Sequence, residues 1–221
     1  MKKKILAISL VLFFSGEAIF AQKVISEGTL TYDIAIQSAT DKTAAVTNAT
    51  LTVYLKGLVS RTDMTSNLGS EKTIYDAKAG TAVILKEYSG QKLMITLTKD
   101  NWKEKNKKAE GVSFTDQGEK KNILNYNCTR AIAKLADGSA ITVFYTKDLT
   151  VQNKDYDPLF KNLNGLPLQY EVETGKLKFT YTINKIEQNS LPQAKFDLPK
   201  TGYRVISYDE NKRGNKNKKL Q

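Results

Sequence analysis

Apolar and polar residues alternate with a period of two along most of this chain. Leu30, Tyr32, Ile34 and Ile36 hold even positions, with Thr31 and Asp33 between them. The same alternation returns at Leu51, Val53 and Leu55, at Leu93, Ile95 and Leu97, and at Ile141, Val143 and Tyr145. It returns again at Leu166, Leu168, Tyr170 and Val172, and at Leu177, Phe179, Tyr181 and Ile183. Successive side chains of an extended chain point to opposite faces, so these runs predict half-buried antiparallel strands. Turn chemistry separates them: Lys78-Ala79-Gly80, Ser89-Gly90, Asp137-Gly138 and Glu173-Thr174-Gly175. Asp137-Gly138 is the strongest hairpin signal, because both central residues of such a turn must tolerate positive φ. Strands recurring about every ten to fifteen residues predict an all-β domain with minor α content. The form expected is a single strongly curved antiparallel sheet, an open half-barrel with one or two short helices.

Helical material is scarce. Asn101–Glu110 is charged, with Trp102 as its only large apolar residue, and Tyr156–Leu163 suits one or two turns with Pro158 near its start. Several strands are nonetheless apolar on both faces. Tyr54 opposes Val53 and Leu55, Met94 opposes Leu93 and Ile95, and Phe144 opposes Val143 and Tyr145. Two short helices cannot cover so much apolar sheet. The sheet is therefore expected to curl around its own side chains or around an apolar ligand. A self-filled core and a ligand-holding hollow are both open on the sequence.

The first 21 residues fit a secretory signal: three lysines in Met1–Lys4, an apolar run from Ile5 to Phe14 broken only by Ser9, and Ala21 before Gln22. Glu17 interrupts the run too soon for a membrane span, which needs about 20 apolar residues. Cleavage near Ala21 would leave an extracytoplasmic chain, periplasmic or secreted, without a transmembrane segment. Residues 22–210 read as one β domain and 211–221 as a basic disordered tail. The formal charge is +11, and Lys212, Arg213, Lys216, Lys218 and Lys219 crowd that tail without an acid. Such a tail suits an anionic envelope surface. No recognition-helix pattern accompanies the charge, so nucleic acid is not an expected partner.

The chain has no His and one Cys. These counts exclude Ser-His-Asp and Cys-His nucleophile systems, His-ligated metals and an intramolecular disulfide. Ser89-x-x-Lys92 and Lys200-Thr201-Gly202 match fragments of penicillin-recognising enzymes, but that chemistry needs the Ser to open a helix, and Ser89-Gly90 reads as a turn. Asn153, Asp155 and Asp157 have oxygen ligands at alternate positions, yet an EF-hand would need Gly and Glu where Pro158 and Asn164 stand. Cys128 reads as a small buried hydrophobe. No cofactor, metal or catalytic residue is expected, and a hydrolase using paired carboxylates ranks last.

Short motifs carry a family resemblance. Tyr54-Leu55-Lys56-Gly57 with Arg61, then Ile74-Tyr75-Asp76, resembles the first half of an uncharacterised family of secreted β-proteins of Bacteroidota. Its members begin with a strand like Gly28–Ile36 and have an export signal ending as Phe20-Ala21-Gln22 does. Tyr126-Asn127-Cys128, Phe144 to Leu149 and Gly165-Leu166-Pro167-Leu168 resemble the same group and the related GLPGLI family, and Phe196-Asp197-Leu198-Pro199 with Gly202-Tyr203 closes the pattern. GLPGLI proteins continue Gly-Leu-Ile where this chain has Leu168-Gln169. The resemblance implies an open barrel similar to the LolA/LolB lipoprotein carriers, which hold acyl chains in an apolar concavity.

The function expected first is a non-enzymatic binding protein holding an acyl chain, a lipid or a lipid-modified polypeptide. Alternation on adjoining strands nominates Leu51, Val53, Leu55, Leu93, Ile95, Leu97, Phe179 and Tyr181 as its lining. The alternative is an envelope structural or interaction protein with a filled core.

Overall fold

The computed structural model describes residues 22–38 and 44–218. The expected signal (1–21) lies outside them, as do residues 219–221 of the expected tail. The strands are β1 Lys23–Ile25, β2 Glu27–Ser38, β3 Ala44–Lys56, β4 Val59–Ser66, β5 Gly69–Asp76, β6 Thr81–Tyr88 and β7 Gln91–Leu97. Helix α1 follows at Lys99–Lys105, then β8 Ser113–Ile123, β9 Tyr126–Lys134, β10 Ala140–Thr146, β11 Leu149–Val151, β12 Leu166–Thr174, β13 Leu177–Glu187, β14 Arg204–Ser207 and helix α2 Tyr208–Lys218.

Twelve strands form one open sheet in the order β14-β7-β6-β5-β4-β3-β2-β13-β12-β10-β9-β8. Each alternating run named in the sequence is a strand of it. The chain is all-β with two short helices, and the sheet does not close into a barrel. Two parallel pairings depart from the expected antiparallel scheme. β14 joins the edge beside β7, and β1 pairs with β11 in a separate two-stranded sheet. Ser89 and Gly90 both take positive φ, 50° and 76°, whereas at Asp137-Gly138 only Gly138 does, at 84°, and β9 and β10 join through residues 135–139 and not through a two-residue turn.

Register carries a single face through the sheet. Leu55 lies opposite Ser60, Ser60 opposite Tyr75, Tyr75 opposite Ala82 and Ala82 opposite Leu97. A second row runs Val53, Thr62, Thr73, Ile84, Ile95, Ile206, and a third Leu51, Met64, Glu71, Lys86, Leu93. In the other direction Ala49, Ile34, Tyr181, Tyr170, Val143 and Ala131 continue it. This inner face bears the main core. Leu30, Tyr32, Val53, Leu55, Val143, Leu168 and Ile183 are buried there.

What covers the inner face is the chain itself. The segment after β10 leaves the sheet, forms β11 and a 3-10 turn at Lys154–Tyr156, and returns at β12. Its Leu149, Val151, Tyr156, Phe160 and Leu163 belong to the same buried cluster as the inner-face residues. Each such side chain gains about 1.5–3 kcal/mol on burial. Aromatic rings lock it: Phe160 meets Tyr170 edge-on at 4.8 Å, and Tyr170 stacks on Tyr181 at 4.5 Å. Asn153 donates to the Leu58 carbonyl oxygen at 3.2 Å, tying the segment to the turn between β3 and β4. The hollow that the helix shortage suggests is thus filled over this half of the sheet. The turns expected at Tyr156–Leu163 lie in this filling segment, Phe160 N donating to the Asp157 carbonyl oxygen at 3.1 Å and Leu163 N to that of Phe160 at 3.0 Å.

The outer face of β4–β7 has its own small cluster of Ile74, Leu85 and Met94, packed by Val83 and Tyr203. The connection from β13 to β14 straps across it. The backbone N–H of Leu191 donates to Glu27 at 2.6 Å, Arg61 donates to the Lys195 carbonyl oxygen at 2.7 Å, and the Tyr203 hydroxyl donates to Glu87.

The expected disordered tail overlaps α2. Ser207 and Glu210 cap that helix reciprocally, Glu210 N donating to Ser207 Oγ at 3.2 Å and Ser207 N to Glu210 Oε2 at 2.7 Å. Lys212 also pairs with Glu104 of α1.

Gly165 closes the filling segment onto β10. A Cβ there would stand 2.1 Å from the Thr146 carbonyl oxygen and 2.8 Å from the Tyr145 ring. Gly165→Ala is expected to cost about 2–4 kcal/mol in urea unfolding. Gly138→Ala meets nothing within 4 Å and carries only the strain of its φ of +84°. It should cost about 1–2 kcal/mol. Equal losses would refute the close-packing account.

Candidate functional site

All eight nominated residues lie on the inner face, but in different surroundings. Val53 and Leu55 are buried beneath the filling segment, and Ile95 and Leu97 are buried in a second cluster with Tyr75, Ala82 and Ile84. Leu51 and Tyr181 are half-buried at the border of the first cluster, and Leu93 at that of the second. Phe179 is half-buried and belongs to neither.

The inner face therefore has three parts. Near the turns at Gly57 and Ala77–Gly80 it is covered, by the filling segment on one side and by α1 on the other. Between those two covers lies a cleft of about 700 Å³, lined among others by Tyr75, Lys78, Trp102, Asn106, Asp155 and Lys161. Toward the opposite strand ends the face is open: Ile36, Met64 and Phe179 are half-buried, Leu177 is 43% exposed, and all four stand outside the buried clusters. In the same row as Met64, Glu71 and Lys86 form an ion pair at 2.8 Å.

The cleft is built by a helix cap. Thr98 and Asn101 form a reciprocal capping box that starts α1 directly after β7. One turn into the helix, the Trp102 ring stacks on Tyr75 of β5, with centroids 4.6 Å apart and planes 18° apart. Asn106 closes the helix by donating its side-chain N–H to the Trp102 carbonyl oxygen at 2.9 Å. Facing this platform, Lys161 pairs with Asp155 at 2.6 Å. Sequence reading singles out Trp102 only as an isolated apolar residue. Its Thr-x-x-Asn cap was the available signal that a helix would present it to the sheet.

The other sequence candidates have ordinary partners. Ser89 occupies a hairpin turn and Lys92 pairs with Glu87 at 3.3 Å. Cys128 is buried and its Sγ donates to the Tyr126 carbonyl oxygen, while burial pushes its thiol up to about 11. Asn153 and Asp155 are engaged as described, and Asp157 accepts the backbone N–H of Leu159 at 3.1 Å. Among the described residues no three carboxylate or thiol groups converge as a metal site.

Asp157 is the unusual titrating group. It sits in the filling segment, within electrostatic reach of Tyr32, Tyr156, Tyr170 and Tyr181, and desolvation raises its carboxyl to about 6 despite the Leu159 N–H and Lys105. The same burial lifts the Tyr156 and Tyr170 hydroxyls well above their usual range.

No family model matches the chain, and no curated protein matches it. Solved structures are similar to it over most of its length. PNGF-II superposes with a TM-score of 0.50 at 14% identity, covering 85% of this chain and 33% of that one, so the chain spans about a third of its length. An uncharacterised conserved protein from Thermus thermophilus gives 0.48 at 10% identity, covering 82% and 91% of the two chains. A LolA superfamily protein from Nitrosomonas europaea gives 0.36 at 8% identity, covering 80% and 92%. Among the described residues no helix is long and apolar enough to cross a membrane.

A carboxyl whose folded pKa is raised stabilises the fold fully below its unfolded value near 4, and loses that contribution as pH rises through about 6. Asp157→Asn should therefore match the parent in stability at pH 4 and exceed it at pH 7.5, by about 1–3 kcal/mol. Urea unfolding at both pH values checks this. A difference that does not change with pH would remove Asp157 from the account.

Proposed function

We propose that this chain is an extracytoplasmic, non-enzymatic binding protein that lays one acyl chain, of a lipid or a lipid-modified polypeptide, along the open part of its inner face. The observation that carries the reading is the group of half-exposed apolar side chains at the open strand ends of the inner face, Ile36 opposite Phe179 with Leu177 beside them, and Met64 two strands away opposite Leu51, all outside the buried clusters. Of the nominated residues, Leu51, Phe179 and Tyr181 would touch the ligand, and Leu93 lies beyond the Glu71–Lys86 pair. Val53, Leu55, Ile95 and Leu97 form the wall behind it. Each buried CH₂ contributes about 0.8 kcal/mol, so a chain of moderate length offsets its own ordering cost. The Glu71–Lys86 pair lies beside the apolar side chains, where a polar head group would emerge. Export through cleavage near Ala21, and kinship with the Bacteroidota and GLPGLI proteins, belong to the same proposal and rest on the motifs quoted above.

The filled half of the inner face favours a second reading, an envelope interaction protein acting through its surface and its basic C-terminal residues. Native mass spectrometry and lipid extraction of the protein from its own envelope separate the two. Bound lipid in the parent, lost in a folded Phe179→Asp variant, is the expected result. A lipid-free parent, with envelope association abolished by deleting residues 212–221, would overturn the carrier reading in favour of the second.

A further inference from the structure

We propose that the cleft between α1 and the filling segment is a binding site for a short neutral saccharide, separate from the acyl-binding shelf and independent of it. Its lining is of two kinds. One wall is the Tyr75–Trp102 aromatic platform, and the other is polar, with the Asp155–Lys161 pair and the side-chain amides of Asn106 and Asn162. Each amide gives one N–H to a backbone carbonyl, Asn106 to Trp102 and Asn162 to Val112, and so is held in place with its oxygen still available. A sugar ring matches such a lining: its C–H face packs on an aromatic ring while its hydroxyls bond to amides and charged groups around the edge. An acyl chain does not match, because covering Asp155, Lys161 and the two amides without bonding to them would carry a desolvation cost. A strongly anionic ligand does not match either. Four lysines line the cleft, but three carboxylates stand among them, two of these paired with lysines at 2.6 and 3.9 Å. The volume, about 700 Å³, falls within the range of small-molecule sites and holds more than a single ring.

The chain has one tryptophan, so its fluorescence reports this cleft directly. The full chain would be titrated with chitotriose, cellotriose and maltotriose, with sodium phosphate and laurate as controls. The expected result is a saturable change in Trp102 emission with at least one trisaccharide and none with phosphate or laurate. Asp155→Asn, which keeps the shape of the side chain but removes its charge, should weaken that binding at least fivefold with an unchanged circular dichroism spectrum. Trp102→Phe, followed by calorimetry, should weaken it about tenfold. No saturable response to any trisaccharide up to about 10 mM would overturn the proposal. Binding that survives both substitutions unchanged, or that phosphate or laurate reproduces at Trp102, would overturn it equally.

Discussion

Everything in this fold follows from the need to bury two apolar regions on one face of a twelve-stranded sheet with almost no helix. Period-two alternation forces the apolar residues of β3, β2, β13, β12 and β10 to one side, and the registers align those sides across four pairings, three of them bulged. A sheet in water cannot leave such a face bare. The chain meets the requirement locally, by sending the connection between β10 and β12 inward instead of turning tightly. Tyr156, Phe160 and Leu163 act as the second layer that a helix would otherwise supply.

That solution divides the inner face unevenly. One segment of modest length covers the strand ends near the Gly57 turn, and α1 covers those of β6 and β7 through Trp102. Neither reaches the ends at Met64 and Phe179, so an apolar shelf is left where the covers stop. The covers also do not meet each other, and the gap between them is the cleft. The two candidate sites are thus the two places where the burial of one face is incomplete, and their chemistry differs because their walls do. The shelf is bounded by strand side chains alone. The cleft is bounded by polar residues of α1 and of the filling segment.

Much of this was legible in the sequence. The alternating runs located six of the central strands, and the choice of Leu51, Val53, Leu55, Leu93, Ile95, Leu97, Phe179 and Tyr181 by alternation placed all eight on one face. The shortage of helix correctly posed the question of what the sheet encloses. The answer was hidden because Leu149 to Leu163 has no periodicity. A segment that fills a concavity takes its shape from the cavity, so its apolar residues fall at irregular intervals. β8 was hidden for the opposite reason: as an exposed edge strand it is polar at nearly every position, and a bulge at Gly118 breaks its pairing. The α2 helix was legible in Ser207-x-x-Glu210, but the run of lysines that follows drew the reading toward disorder.

The N-terminal strand shows how the pieces depend on one another. A two-stranded parallel sheet of three residues per strand has no stability of its own. β1 and β11 persist because Ile25, Leu149 and Val151 are buried in the main cluster, so their hydrogen bonds are a consequence of that burial and not its cause. The filling segment in turn gains a backbone partner for β11 that no strand of the main sheet offers, with Lys23 N donating to the Asp148 carbonyl oxygen and Gln152 N to that of Ile25. The residues directly after the expected export signal are therefore structural, since they satisfy the backbone of the segment that seals the core. The interior is complete only when the first strand is laid against the loop that fills it. The filled half of the face is thus a product of long-range pairing, as is the shelf, where β13 lies against β2 with Phe179 opposite Ile36.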